Sequence, residues 1–241
     1  MKSKNAVLSA IVKHGAVEMG IPLPSNSHEL FRLYFNFLEK RNRIVNLTAL
    51  SGPEDIANLH FLDSIALLKI VSFKNSRVID IGSGAGFPGV PLKIAEPSVD
   101  LTLLDATGKR VTFLSDLCAV LGLCTTCVNA RAEDASHKQD MRERYDIAVS
   151  RGLARLSIQC ELCLPFVRVG GTLISMKGTD SADEISSALT TITALGAYPP
   201  ECYDYLIPGT NISHRAIVIR KASITPEVYP RRYAKIIKIP L

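Results

Sequence analysis

The stretch from residue 77 to residue 89, RVIDIGSGAGFPG, constrains the fold of this chain more than any other. Residues 78–81 are apolar apart from Asp80 and show no polar alternation, which is typical of a buried central strand in a parallel sheet. Glycines follow at positions 82, 84, 86 and 89, and they let the backbone turn tightly and approach a ligand closely. A glycine-rich loop between a strand and a helix is typical of a nucleotide-like cofactor site. The sequence therefore predicts an α/β fold with a cofactor at this loop.

The spacing of the glycines separates the candidate cofactors. A dinucleotide site, G-x-G-x-x-G from the strand end, would need a glycine where Phe87 stands. The frame over positions 84, 86 and 89 begins two residues too far from the strand, and no Gly-Lys-Ser/Thr ending of a phosphate-binding loop follows. The pattern Asp-x-Gly-x-Gly-x-Gly instead resembles the cofactor loop of class I S-adenosylmethionine methyltransferases. Asp80 can balance the ammonium group of that cofactor, whereas the structural alternative is a tight turn that binds nothing.

Polar side chains also follow the later predicted strands, which we expect at residues 99–104, 127–130, 145–150 and 172–176, before an antiparallel pair at 203–207 and 216–219. Ligands of doubly wound sheets lie beyond the carboxyl ends of the strands. Asp105 can accept both hydroxyls of a ribose, a group that NAD and S-adenosylmethionine share. Residues 131–134 can read the edge of an adenine or form a charged surface turn. Two arginines, Arg151 and Arg155, favour an anionic or planar partner.

The chain ahead of the glycine loop has helical periodicity. We expect residues 1–72 to form an N-terminal helical region, residues 73–222 the core and residues 223–241 a basic tail. The segment around Asn46 and Thr48 has no clean period, so it is expected to be a loop that approaches the site. His60 and Asp63 lie three residues apart, hence on one helical face. One interpretation is that they form an ion pair on the helix surface or a cap for the neighbouring loop. The other is that they lie on the substrate side of the site and hold the loop around Asn46 and Thr48.

Composition limits the remaining possibilities. The chain has 241 residues, 47% of them hydrophobic, and a net charge of +5, which permits a nucleic acid partner without requiring one. No run approaches the roughly 18 to 20 apolar residues of a membrane span, and no secretory signal is visible, so we expect a cytoplasmic protein with no membrane partner. Two Cys-x-x-Cys pairs begin at Cys124 and Cys160. They fall on separate elements, so we expect reduced thiols and no structural metal.

Several motifs together resemble the bacterial RsmG (GidB) family. They are NLTA at 46–49, HFLDS at 60–64, DIGSGAGFPG at 80–89, SR at 150–151, MKG at 176–178 and YPRR at 229–232. The resemblance implies a Rossmann-like class I methyltransferase sheet with an N-terminal helical extension and S-adenosyl-L-methionine as cofactor. It also implies methylation of guanine N7 in 16S ribosomal RNA, free or in the small ribosomal subunit, and we expect a monomer. The chain departs from the family pattern at Gly152 and in the tail, at Tyr233 and residues 236–237.

The motifs and the strand ends define the expected site. The expected cofactor-binding residues are Asp80, Gly82, Gly84, Gly86, Phe87, Asp105, Ala132, Glu133 and Arg151. The expected substrate-binding residues are Asn46, Thr48, His60, Asp63, Arg155, Lys177, Arg231 and Arg232.

The acceptor chemistry can be judged from motifs that the chain lacks. Methylation of an exocyclic amine must release a proton, and such enzymes carry an Asn/Asp-Pro-Pro-aromatic block after the fourth strand, where this chain reads SRGL. Methylation of a pyrimidine carbon needs a cysteine nucleophile, usually beside proline, and no Pro-Cys occurs. Guanine N7 is already a nucleophile, so we expect catalysis by positioning through Arg151, without a base. A small-molecule methyltransferase, a nucleotide-binding module and an NAD-dependent oxidoreductase remain alternatives.

Overall fold

The computed structural model describes residues 2–241 and contains a seven-stranded sheet with helices on both faces. The helices are α1 Lys2–Glu18, α2 Ser27–Val45, α3 Pro53–Ile56, α4 Asp63–Ile65, α5 Gly89–Ala95, α6 Gly108–Leu121, α7 Ala132–Ala135, α8 Leu156–Cys163, α9 Ala182–Ala194 and α10 Tyr233–Lys238. A π-helical turn, Ala57–Leu62, joins α3 to α4, and 3-10 turns cover Ala66–Lys69 and Leu164–Phe166. The strands are β1 Arg77–Ile81, β2 Asp100–Asp105, β3 Thr125–Asn129, β4 Tyr145–Arg151, β5 Val167–Gly178, β6 Glu201–Leu206 and β7 Ser213–Arg220.

The strand order is β3-β2-β1-β4-β5-β7-β6, and β7 runs antiparallel to both of its neighbours. The predicted α/β sheet and its terminal antiparallel pair are therefore confirmed. β1 pairs in parallel with β2 on one side and β4 on the other, and its last four residues are buried, as the apolar run predicts. From β1, the next two strands of the chain are added on one side of the sheet and β4 on the other, so the strand order reverses between β1 and β4. In open α/β sheets the ligand crevice lies at such a reversal, outside the carboxyl ends of the strands.

The N-terminal helices pack directly on the sheet. Residues of α1 and α2 share one continuous hydrophobic cluster with β1, β2, α5 and α6, whereas α8 and α9 cover the opposite face. Tyr34 of α2 connects this packing to the glycine loop, since its hydroxyl donates to the carbonyl of Ala85 at 2.5 Å and its ring stacks on Phe87. The helices before β1 thus help to fix the loop that follows it.

The tail after β7 is anchored to the α8 side of the sheet. Arg231 forms a two-point ion pair with the buried carboxylate of Glu161, at 2.7 Å in each contact. Ile236 of α10 is fully buried in the cluster that contains α8 and α9. Among the described residues, no helix combines the length and hydrophobicity of a membrane span.

Candidate cofactor and active site

A cavity of about 250 Å³ opens where β1, β2, β3 and β4 end, and we call it the strand-end cavity. Four of the predicted cofactor-binding residues line it, namely Gly82, Asp105, Ala132 and Glu133. The other lining residues are Ile81, Leu104, Ala106, Thr107, Arg110, Ala130, Arg131, Gly152, Leu153, Leu162 and Tyr233. Apolar side chains at the four strand ends and on two helices thus share the wall of the cavity with several charged and polar side chains.

Gly82 brings the backbone to the wall of the cavity. Its φ of +73° lies in the left-handed region, and a Cβ added there would lie 2.7 Å from a methyl carbon of Leu153. A side chain at this position would therefore be strained and would also displace Leu153. Both constraints explain why the first position of the loop after β1 is a glycine.

Asp105 ends β2 and fixes the loops on both sides of the cavity. One carboxylate oxygen accepts a hydrogen bond from the backbone N–H of Gly84 at 3.0 Å, and the other accepts from that of Thr107 at 2.8 Å. Arg110 lies 3.7 Å from the same carboxylate. Each carboxylate oxygen can accept a second hydrogen bond, so a ribose contact is compatible with this geometry.

Asp80 lies behind the loop rather than on the cavity wall. Its side chain is fully buried, and one oxygen accepts from the backbone N–H of Gly89 at 2.9 Å, whereas the other has no hydrogen-bond partner among the described residues. Burial raises the pKa of Asp80 to about 7, although the bond from Gly89 and the charge of Arg151 oppose the shift. A buried acceptor without a partner is unfavourable, and a ligand with a cationic donor would satisfy it.

Three further residues of the predicted cofactor set, Gly84, Gly86 and Phe87, do not line the strand-end cavity. Packing against α2 accounts for Gly86, and the assignment of these three residues to the cofactor stays a prediction. A Cβ there would lie 2.7 Å from the Tyr34 hydroxyl. Phe87 is 5% exposed and stacks on His60 with ring centroids 4.2 Å apart.

Arg151, at the end of β4, also lies outside the wall of the strand-end cavity and belongs to a neighbouring cluster. Its guanidinium donates to Asp63 and to the carbonyl of Leu59, each at 2.9 Å, and lies 5.2 Å from the centre of the Phe87 ring. A third donor contacts a ring nitrogen of His60 at 2.8 Å. Arg151 is thus held in one position by partners from the helical segment before β1.

Asp63 is the centre of this cluster. Its side chain has no exposed surface, and it accepts hydrogen bonds from Tyr205 and His214, each at 2.8 Å, in addition to Arg151. Burial alone would raise the pKa of Asp63, but the hydrogen bond from His214 and the charge of Arg151 outweigh burial and lower it. The interpretation of Asp63 as half of a surface ion pair with His60 is therefore wrong. Sequence reasoning missed Tyr205 and His214, since both lie in the terminal strand pair.

His60 connects Arg151 to the loop after α2. Its Nε2 lies 2.8 Å from the hydroxyl of Thr48, and burial together with the charge of Arg151 lowers the pKa of His60 to about 3. A neutral ring that accepts from Arg151 at Nδ1 and donates to Thr48 from Nε2 satisfies both contacts. Asn46 ends α2 in a left-handed conformation with an exposed side chain. The loop itself is held by Asn42, whose side-chain amide bonds the backbone of Leu47 and Thr48.

The cations predicted to contact substrate fall into two groups. Lys177 donates to Glu184 at 2.7 Å and to the carbonyl of Ala154, and Arg231 is paired with Glu161. Both side chains are engaged by carboxylates, and their assignment to substrate binding stays a prediction. Arg155 and Arg232 are exposed and take part in no ion pair within the part of the chain that the structure describes. These two remain the candidates for phosphate contacts.

The two cysteine pairs lie on separate elements, with Cys124 and Cys127 at β3 and Cys160 and Cys163 on α8. Within residues 2–241, no cluster of three or more histidine, cysteine or acidic side chains is placed to hold a metal ion.

Comparison with known proteins shows that this chain is similar to one family over most of its length. The family model GidB, described as rRNA small subunit methyltransferase G, matches residues 27–203. A relative from Alkaliphilus oremlandii named ribosomal RNA small subunit methyltransferase G is 41% identical over 97% of this chain and 99% of its own length. A relative of the same name from Desulforamulus reducens is 40% identical over 93% of this chain and 95% of its own length.

Solved structures support the fold alone, because their sequence identities are low. A putative O-methyltransferase from Klebsiella pneumoniae has a TM-score of 0.52 and 15% identity, and the match covers 79% of this chain and 90% of that one. Precorrin-6y C5,15-methyltransferase from Geobacter metallireducens has a TM-score of 0.50 and 15% identity, with 66% and 87% coverage. The predicted class I methyltransferase sheet is thereby confirmed.

Proposed function

Since this chain belongs to the GidB family, rRNA small subunit methyltransferase G, we propose that it transfers a methyl group from S-adenosyl-L-methionine to N7 of a guanine in 16S ribosomal RNA. The observation that carries the proposal is the strand-end cavity beside the glycine loop, next to an arginine cluster that contains no available proton acceptor.

The residues around the strand-end cavity fit the proposed cofactor. Gly82, Asp105, Ala132 and Glu133 would hold its nucleoside portion, with apolar walls for the base and a carboxylate for the ribose. Asp80 lies behind the glycine loop with one carboxylate oxygen that has no partner among the described residues, and its charge would balance the ammonium group of the methionine portion, directly or through water. When bound, S-adenosyl-L-methionine supplies an electrophilic methyl group on a sulfonium centre.

The Arg151 cluster supports an acceptor that needs no deprotonation. His60 has a pKa of about 3, lowered by burial and by Arg151, and both of its ring nitrogens have partners. Asp63 is ionised, and both of its oxygens accept hydrogen bonds from cationic or phenolic donors. A base that is fully occupied by donors is poorly suited to take a proton from substrate. Guanine N7 presents a lone pair, so orientation by Arg151 is sufficient chemistry for this reaction.

The acceptor RNA would be held through exposed cations near the carboxyl edge of the sheet. Arg155 follows β4 directly and Arg232 precedes α10, whose first residue lines the strand-end cavity. Both side chains are exposed. Phosphate contacts position nucleic acid without reading sequence, so we assign these arginines to docking and not to the choice of guanine.

The direct test combines nucleoside mass spectrometry with a matched pair of variants. Small ribosomal subunits from cells that lack the gene are incubated with the purified protein and S-adenosyl-L-methionine, and their 16S RNA is digested and analysed. We expect one additional 7-methylguanosine per subunit. Arg151→Ala should lose most of this turnover and still be folded, as shown by a cooperative thermal unfolding transition. Arg168→Ala should retain activity. Arg168 is a suitable control because it is exposed at the start of β5.

Two results would contradict the proposal. If the purified protein adds no 7-methylguanosine to naked 16S RNA or to the small subunit, the acceptor is wrong. If calorimetry finds binding of NADH but none of S-adenosylhomocysteine, the cofactor is wrong and an oxidoreductase becomes the better interpretation.

A further inference from the structure

One wall of the strand-end cavity comes from the carboxyl-terminal tail. Tyr233, the first residue of α10, lines the cavity together with Arg131, Ala132 and Glu133, which follow β3. The guanidinium of Arg131 lies over the Tyr233 ring at 4.5 Å from its centre, and the same guanidinium pairs with Glu133. An aromatic ring, a cation and a carboxylate are thus packed at the β3 end of the cavity.

The tail cannot easily move away from this position. Glu161, which is 1% exposed, accepts from the backbone N–H of Arg231 at 2.9 Å as well as from its guanidinium. The carbonyls of Tyr229 and Pro230 are held by Arg142 and His137, each at 3.0 Å. On the far side of Tyr233, Ile236 is fully buried. Anchors on both sides therefore fix the ring, although it is itself 36% exposed.

We propose that Tyr233 is a cofactor-binding residue whose ring packs against the adenine of S-adenosyl-L-methionine, so that the tail forms part of the cofactor site. The inference rests on the proposed function, because it takes the strand-end cavity as the cofactor site. The base end is assigned by its neighbours. Ala132 and Glu133 offer a backbone amide and a carboxylate suited to a purine edge. The sulfonium end would then lie toward the ends of β1 and β4, which carry Asp80 and Arg151.

The chemistry of the ring suits this role. A phenol ring offers a large flat surface with few rotatable bonds, so packing a base against it costs little side-chain entropy. The Arg131 guanidinium lies over the ring, and Tyr233 also lines the cavity, so the ring is placed where a base in the cavity can contact it. Replacing an aromatic residue that stacks on a base by alanine typically raises the dissociation constant by about tenfold or more.

Calorimetry with S-adenosylhomocysteine tests the inference without any RNA. We expect Tyr233→Ala to weaken binding about tenfold and Tyr233→Phe to bind like the wild type, because stacking needs the ring and not the hydroxyl. The matched control is Tyr198→Ala, since Tyr198 is an exposed tyrosine outside the cavity lining. Free adenosine should lose the same factor in Tyr233→Ala, because the contact is to the base.

The outcomes separate the inference from the proposed function. Equal affinity of Tyr233→Ala and wild type for S-adenosylhomocysteine overturns the role of the tail and leaves the function intact. A wild-type protein that does not bind S-adenosylhomocysteine overturns the function itself. Hydrogen exchange gives a second readout. The ligand should slow exchange of the amides of α10 in the wild type, and this added protection should be lost in Tyr233→Ala.

Discussion

Replacement of Asp80 by asparagine should make the ligand-free protein more stable at neutral and alkaline pH. Asp80 is fully buried, accepts one backbone hydrogen bond, and has a second oxygen without a partner. Ionisation of this carboxyl group is therefore costly, as the rise of its pKa to about 7 indicates. Asparagine keeps the shape and the acceptor for Gly89 and removes the charge.

The magnitude follows from the two pKa values. The pKa of Asp80 is raised from 3.8 to about 7 in the folded protein, a difference that corresponds to about 4 kcal/mol. Because the folded state holds the proton more tightly than the unfolded state, the contribution of Asp80 to stability is complete below pH 3.8. This contribution is lost progressively as the pH rises from 3.8 through about 7. Above about pH 7 Asp80 is ionised in both states, and its effect on stability no longer changes with pH. We expect Asp80→Asn to exceed the wild type by up to about 4 kcal/mol at pH 8 and by less than about 1 kcal/mol at pH 4.

Urea unfolding at a series of pH values measures this difference, with the exposed Asp55→Asn as control. The control should track the wild type at every pH. A free-energy difference between Asp80→Asn and wild type that does not grow from pH 4 to pH 8 would refute the argument, because burial of a charge must appear as a pH-dependent term. The same variant should bind S-adenosylhomocysteine at least about tenfold more weakly, since it no longer offers a charge to the ammonium group, and should bind adenosine normally.

Two further predictions concern the neighbouring charges. Asp63→Asn should lower the free energy of unfolding at pH 7 by about 3 to 5 kcal/mol, because Arg151 and His214 lose a buried partner. The pKa of Asp63 is lowered in the folded state, so its contribution is present above its ordinary pKa and lost as the pH falls through the lowered value. Urea titrations at pH 7 and pH 3 should show the difference shrinking, and an unchanged difference would contradict the assignment. Arg155→Ala and Arg232→Ala should each reduce the slope of log affinity for 16S RNA against log salt by about 0.7 to 0.9, and filter binding at several salt concentrations would show an unchanged slope if neither touches phosphate.

The residues that the sequence already places together at the strand-end cavity are those whose position follows from local chain order. A buried strand followed by glycines identifies β1 and Gly82, and the rule for strand ends then places Asp105, Ala132 and Glu133 at the same edge of the sheet. Each step needs only a strand and the few residues after it. The parallel arrangement brings those ends together regardless of the helices between them.

The contacts that the sequence does not reveal join segments far apart in the chain. Asp63 bonds Tyr205 and His214, which are 142 and 151 residues away, and neither pairing leaves a periodic signal. The same limitation applies to Lys177 and Arg231, whose carboxylate partners the sequence does not reveal. The sequence shows that the tail carries a positive charge at Arg231. It does not show that this charge is paired with the buried carboxylate of Glu161.

The irregular helix before β1 shows what these long-range contacts require. In a regular α-helix the N–H of Asp63 would bond the carbonyl of Leu59, four residues back. Here it bonds the carbonyls of Asn58 and His60 instead, at the end of the π-helical turn Ala57–Leu62, and the Leu59 carbonyl accepts from Arg151 at 2.9 Å. Such turns are less favourable than regular helix and frequently occur at functional sites. Because the N–H of Asp63 does not use the Leu59 carbonyl, Arg151 receives both this carbonyl and the Asp63 carboxylate. The geometry of this helix is thus explained by the position of Arg151, which is the residue that the proposed mechanism needs to be fixed.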